Sequence, residues 1–112
     1  MIVDKLNQVK ALASYVPVES EDDLPCIAVG YAVAEGFRGQ GLAYEILEKS
    51  LDEFFAMSRT KVTRMHIEAV VSRENIASQK VASRFISDAP DAITDSISGM
   101  PAYHYSRLVE LT

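Results

Sequence analysis

One cysteine, Cys26, occurs in the 112 residues of the chain. A single cysteine excludes an intrachain disulfide framework, and its place at the head of an apolar run gives it the ordinary role of a small buried hydrophobe. No apolar run is long enough to span a bilayer, and no basic-then-apolar leader opens the sequence. Neither a membrane span nor a secretory signal is therefore expected, and the expected location is cytoplasmic. Positive charge is scarce: 11 Lys and Arg against 16 Asp and Glu give a net charge of -5, which disfavours broad electrostatic capture of nucleic acid. Low-complexity tracts and internal repeats are also missing. What remains, with 48% hydrophobic residues, is the composition of one globular domain with one modest core. Part of the negative charge is local. Glu19-Ser20-Glu21-Asp22-Asp23, ahead of Pro25, reads as a solvated loop or as an attractor for a cationic substrate.

Hydrophobic spacing divides the chain into short elements. Residues 26–33 are apolar and bounded by Pro25 and Gly36, which marks a buried strand too short for a typical helix. Gly30 inside it signals a bulge or the close approach of another group. After a glycine-rich turn, Ala43, Ile46, Leu47, Leu51, Phe54 and Phe55 recur at helical spacing, with Glu45, Glu48, Lys49, Asp52 and Glu53 between them. Residues 62–71 alternate Met65, Ile67, Ala69 and Val71 with Arg64, His66, Glu68 and Val70, the two-residue period of a strand. Asn75 or a neighbour caps a second helix whose Ala77, Val81 and Phe85 share a face, and Pro90 ends any continuation. Two short strands near 92–96 and 102–109 flank a turn marked by Gly99 and Pro101. Residues 2–15 admit two readings. One is a helix with Leu6, Val9, Leu12 and Ala13 on one face; the other is a hairpin with strands at 1–4 and 9–18 and a turn at 5–8. The layout is α/β.

Chemistry concentrates at Arg38-Gly39-Gln40-Gly41-Leu42-Ala43, where a strand runs through a turn into a helix. Such a junction gathers unpaired backbone N–H groups and the positive end of the helix dipole, a point that attracts phosphate. Gly39 and Gly41 let an anion approach the backbone, and Arg38 can add a charge-assisted bond. The turn lacks the Gly-Lys-Ser/Thr ending of a Walker loop and the third glycine of the dinucleotide fingerprint. On the motif alone, an anion cradle and a plain tight connection are both open. His66 and His104 lie on alternating strand patterns without spaced partners, so no metal site is expected and both read as half-exposed strand histidines.

The stretch from residue 27 to residue 85 resembles the GNAT superfamily of acetyl-coenzyme A dependent N-acetyltransferases. The family's Arg/Gln-x-x-Gly-x-Gly/Ala signature is met by Arg38, Gly41 and Ala43. A second signature is met by Ile67-x-Ala69-x-Val71 followed by Asn75-x-x-Ser78-x-x-Val81-x-x-Arg84. The latter looks like the branch that acetylates the N-termini of ribosomal proteins and many small amines. The resemblance implies a single domain over residues 1–112 with a partial acyl-CoA N-acyltransferase fold of the α/β (α+β) class. Its sheet would be mixed and mostly antiparallel, with two helices, in the order β-β-β-α-β-α-β-β, and the opening would be the hairpin. Main-chain N–H groups of Gly39, Gln40, Gly41, Leu42 and Ala43 would hold the pyrophosphate of acetyl-coenzyme A, with Arg38 adding a charge-assisted bond. Tyr31, Ala32 and Val33 would pair with the pantetheine arm between two splayed parallel strands, with an N–H near Ala32 facing the oxyanion. Asn75 and Ser78 would complete the cofactor site, and no metal is implied. The implied activity is acetyl transfer to a primary amine, from a small molecule or a protein.

The chain also departs from the family pattern. Many members carry an acid tyrosine seven residues after the asparagine, where this chain has Ala82. Ser78 is the replacement donor near the sulfur, or only a small helix residue. Some members place a glutamate where Ile27 stands. Glu68 is then the candidate base, or only a surface carboxylate, with Glu35 and a water relay as further options. The family's first strand and two following helices, which usually wall the acceptor site, have no counterpart. An uncovered sheet is expected to find a partner, so a homodimer is expected. The alternative is a coenzyme A-binding or interaction module without transferase activity.

Overall fold

The computed structural model describes residues 2–3, 9–20, 22–34, 36 and 41–111, with side chains described from residue 11 onward. The elements run β1 (Ile2–Val3), β2 (Val9–Val18), β3 (Cys26–Val33), α1 (Leu42–Ser58), β4 (Arg64–Ser72), α2 (Ile76–Phe85), β5 (Asp91–Thr94) and β6 (Pro101–Glu110). This is the expected order. The strands form one six-stranded sheet, ordered β1-β2-β3-β4-β6-β5. Only β3 and β4 are parallel neighbours, and parallel strands need a crossover, which α1 supplies. The opening is a strand pair, with Ile2 opposite Ala11 and Val3 opposite Val9. Its expected turn at residues 5–8 lies outside the described residues.

The alternation of β4 decides which face is the core. Met65, Ile67, Ala69 and Val71 are buried, and they align with Ile27 of β3 and Tyr105 of β6. Helix α1 packs on β2 and β3, α2 packs on β4, and the helices touch each other. Both therefore cover the same face. Leu42, Ile46, Leu47 and Leu51 descend from α1, while Val81 and Ala82 descend from α2. Burying a side chain such as Leu47, fully enclosed here, stabilises the fold by about 1.5–3 kcal/mol. Tyr15 of β2 stacks on Phe54 at 4.7 Å between centroids, which pins the far end of α1.

The opposite face carries Leu12, Val16, Val70 and Leu108, all more than 40% exposed. No element among the described residues packs on it.

Three local expectations are refined. Ala77 is exposed, so the buried side of α2 is Val81 and Ala82, continued by Ile86, with Phe85 partly buried against the same core. Helix α2 ends ahead of Pro90, at Phe85, where Ile86 and Ser87 both donate N–H groups to the Ala82 carbonyl. Gly30 marks close approach rather than a bulge. It holds regular register opposite Ser14, and a Cβ on it would stand 2.7 Å from Ser14 Oγ.

Candidate active site

The parallel strands β3 and β4 pair from Cys26 opposite His66 to Ala28 opposite Glu68, and no farther. Beyond that point β3 follows β2 as far as Val33 opposite Ala11, while β4 follows β6 as far as Ser72 opposite Ala102. Each strand is held by its outer neighbour, so the inner edges diverge into a V whose apex is Ala28 and Glu68.

Helix α1 begins at the mouth of that V. Its N-cap, Gly41, has φ 72 and ψ 16, a left-handed conformation that glycine adopts without a Cβ penalty. The Gly41 carbonyl accepts the Glu45 N–H at 3.1 Å, while no side chain among the described residues caps the helix. The first-turn N–H groups of Leu42 and Ala43 are thus available to a ligand, at the positive end of the dipole. Burial of the Leu42 side chain ties that turn to the core.

Helix α2 begins across the opening. Asn75 Oδ1 accepts the Ser78 N–H at 3.1 Å, the cap expected from the sequence. Gln79 Nε2 donates to the carbonyls of Ser72 and Arg73 at 3.1 and 3.0 Å, which fixes the turn leading from β4. The Tyr31 hydroxyl spans the gap and donates to the Ser78 carbonyl at 2.7 Å. Burial pushes the Tyr31 phenol up to about 12. It is therefore a neutral donor over the physiological range.

These parts enclose a cleft of about 910 Å³, within the usual range for small-molecule sites. It brings together Tyr31, Ala32, Val33, Gly41, Leu42, Ala43, Asn75 and Ser78. Arg38, Gly39 and Gln40, expected in the same cradle, lie outside the described residues, as does Glu35. Lys80 and Tyr44 also line the cleft; neither was singled out from sequence, although Lys80 stands two residues after Ser78 and supplies a cation beside two helix N-termini. Ala82 is fully buried and offers no proton donor.

Glu68 does not line the cleft. It projects to the uncovered face, where His104 Nε2 lies 2.6 Å from its Oε2. The histidines are partly exposed strand residues, as expected, and each also meets a carboxylate that sequence spacing did not indicate. His66 Nε2 likewise lies 2.8 Å from Asp22 Oδ2, so the acidic run is more than a solvated loop. Chiefly through that bond to His66, and with help from Ser20, the Asp22 carboxyl is lowered to about 2. These contacts join residues 36 and 44 positions apart in the chain, a separation that spacing rules do not reach. Between the two pairs Cys26 is buried, as expected, and burial pushes its thiol up.

A mixed sheet opened between parallel strands, with two helix N-termini at the opening, defines an α/β domain with a cleft between strands and helices. The model of the acetyltransferase (GNAT) domain matches residues 6–85, and the chain belongs to that family. No curated protein matches the chain in sequence. Among solved structures, the ribosomal-protein-S5-alanine acetyltransferase of Vibrio fischeri superposes with TM-score 0.71 at 18% identity, covering 94% of this chain and 57% of that one. A GNAT-family acetyltransferase from Bordetella pertussis gives 0.66 at 20% identity, covering 94% and 61%. A spermidine N-acetyltransferase chimera from Vibrio cholerae and hSSAT gives 0.65 at 14% identity, covering 96% and 66%. At these identities the likeness is one of fold. The chain spans about three-fifths of the length of these structures.

Proposed function

We propose that this protein transfers an acetyl group from acetyl-coenzyme A to a primary amine. The observation that carries the reading is the V between β3 and β4, which opens beneath the N-terminus of α1. The residues present fit an acyl-coenzyme A. Leu42 and Ala43 N–H groups, with Lys80 nearby, suit its pyrophosphate, and the inner edge of β3 from Tyr31 to Val33 runs alongside the space for an extended amide arm. When bound, acetyl-coenzyme A supplies an activated acyl carbon on a thiol leaving group.

The remaining roles fall to the chain. An N–H on the divergent part of β3, near Ala32, stabilises negative charge on the acyl oxygen. Ser78, in the first turn of α2, is a hydroxyl that lines the cleft. Glu68, at the apex on the open face, is the carboxylate suited to take a proton from an amine arriving there. The names of two structural neighbours specify an alanine of ribosomal protein S5 and spermidine as acceptors, and spermidine carries primary amines, which supports that acceptor class. We further propose a cytoplasmic enzyme that pairs as a homodimer through an uncovered edge of its sheet.

Incubation of the protein with acetyl-coenzyme A and a panel of peptides, polyamines and small amines tests the reading. Release of free thiol above the rate without amine is the expected result. Tight binding without amine-dependent release across the panel would refute transfer and leave a binding module. A monomeric sedimentation profile at micromolar concentration would refute the dimer.

A further inference from the structure

The face of the sheet away from the helices carries a carboxylate–imidazole pair beside the apex of the V. Glu68 is the last residue of β4 paired with β3. On the other side of β4, His104 of β6 stands opposite Val70, and Glu68 stands opposite Ser106. His104 and Glu68 are thus diagonal neighbours on one face, within reach of long side chains. Their contact of 2.6 Å leaves the side chains 28% and 24% exposed, so a solute on that face can touch them. The imidazole engages Oε2 of the carboxylate. Among the described residues, His104 is the one side chain that hydrogen-bonds Glu68.

Resting on the transferase reading above, we infer that His104 is a positioning residue for the base. With Nε2–H donated to Oε2, a flexible glutamate is held in one rotamer, with Oε1 turned to an amine at the apex. The environment suits this role. Asp91 of β5 lies directly opposite His104 in register, and on β4 the next residue along that face, His66, is already engaged by Asp22. Nitrogen then bonds the acyl carbon while the acyl–sulfur bond opens, and the electron pair leaves with sulfur as a thiolate. The proton lost by nitrogen goes to Oε1 of Glu68 and from there to water, and the thiolate takes a proton from solvent. His104 exchanges no proton in this sequence; it fixes where the accepting oxygen stands.

The test separates holding a carboxylate from merely filling space. Glutamine at 104 still offers an amide donor to Glu68, whereas leucine does not. His104→Leu should lower kcat by about 10–10²-fold, short of the roughly 10²–10⁴-fold associated with a general base, while Glu68→Gln should reach that larger range. His104→Gln should recover most of the rate. KM for acetyl-coenzyme A should stay unchanged in all three, because its cleft lies on the helix side. His66→Leu, the matched change in the neighbouring pair, should leave kcat unchanged. Independently of turnover, nitrogen-15 NMR of the His104 ring should show the Nε2–H tautomer in the wild type and a mixture in Glu68→Gln. A wild-type kcat in His104→Leu, a rate in His104→Gln as low as in His104→Leu, or a ring tautomer indifferent to Glu68 would overturn the inference while leaving the transferase standing. A wild-type protein that binds acetyl-coenzyme A but acetylates no amine would overturn both.

Discussion

Replacing Tyr31 by phenylalanine removes one atom from the bond that ties β3 to α2 across the open V, the Tyr31 hydroxyl donated to the Ser78 carbonyl at 2.7 Å. The ring can stay where it packs, so no cavity term arises. The Ser78 carbonyl also has its own helical partner four residues on, so no buried group is left unsatisfied. The loss is then that of one neutral hydrogen bond, about 0.5–1.5 kcal/mol. For a chain of this size each kcal/mol lowers Tm by roughly 3–6 °C, which a thermal melt resolves. Binding should suffer as well, because the tie holds the two walls at their spacing: calorimetry with acetyl-coenzyme A should show a severalfold weaker Kd. The pH dependence gives a sharper check. Folding raises the phenol from 10.0 to about 12, so the native state favours the neutral form. That contribution is complete below about pH 10 and is lost as pH rises through about 12. Phenylalanine carries no such dependence, so the stability gap between wild type and Tyr31→Phe should shrink over that interval. The absence of any gap would refute the assignment of this hydroxyl as the tie, and a gap that stays constant from pH 8 to pH 12 would refute the effect of its burial.

Two further perturbations follow from local geometry. Gly41→Ala places an L side chain at φ +72, where the added Cβ meets nothing within 4 Å; the cost is therefore backbone strain alone, roughly 1–2 kcal/mol, measurable by urea denaturation and accompanied by weaker acetyl-coenzyme A binding. Asp22→Asn removes the carboxylate that faces His66, and because folding lowers that group from 3.8 to about 2, its stabilisation is present above about pH 4 and disappears as pH falls through about 2. Acid melts should thus show wild type more stable than Asp22→Asn near neutrality and the two converging in strong acid; parallel curves throughout would exclude the pair as a contributor.

What was legible in the sequence were features that local chemistry determines. The alternation of Met65, Ile67, Ala69 and Val71 identifies β4 and its buried face because neighbouring side chains must point to opposite sides of a strand. Asn75 announces its cap because the bond it makes reaches only three residues ahead. Gly41 announces the start of α1 because few other residues tolerate its backbone conformation. The helix starts and strand edges around the cleft are built from such short-range signals. Ala77 misled for a complementary reason: helical spacing identifies a face but not its rotation about the axis.

The other side of the sheet depends on register, which no local window contains. Glu68 and His104 meet only because β6 aligns Ser106, not Arg107, with Glu68. A slip of one residue would turn His104 toward the helices and Tyr105 outward. That slip is opposed by burial of the Tyr105 ring, which is 2% exposed and belongs to the same core as Ile67 and Val81. The apolar face of β6 therefore determines the position of a polar side chain on the reverse face. Because burial of Tyr105 and placement of His104 follow from one strand register, a substitution that loosens the core at Tyr105 is expected to weaken the carboxylate–imidazole contact without touching either partner.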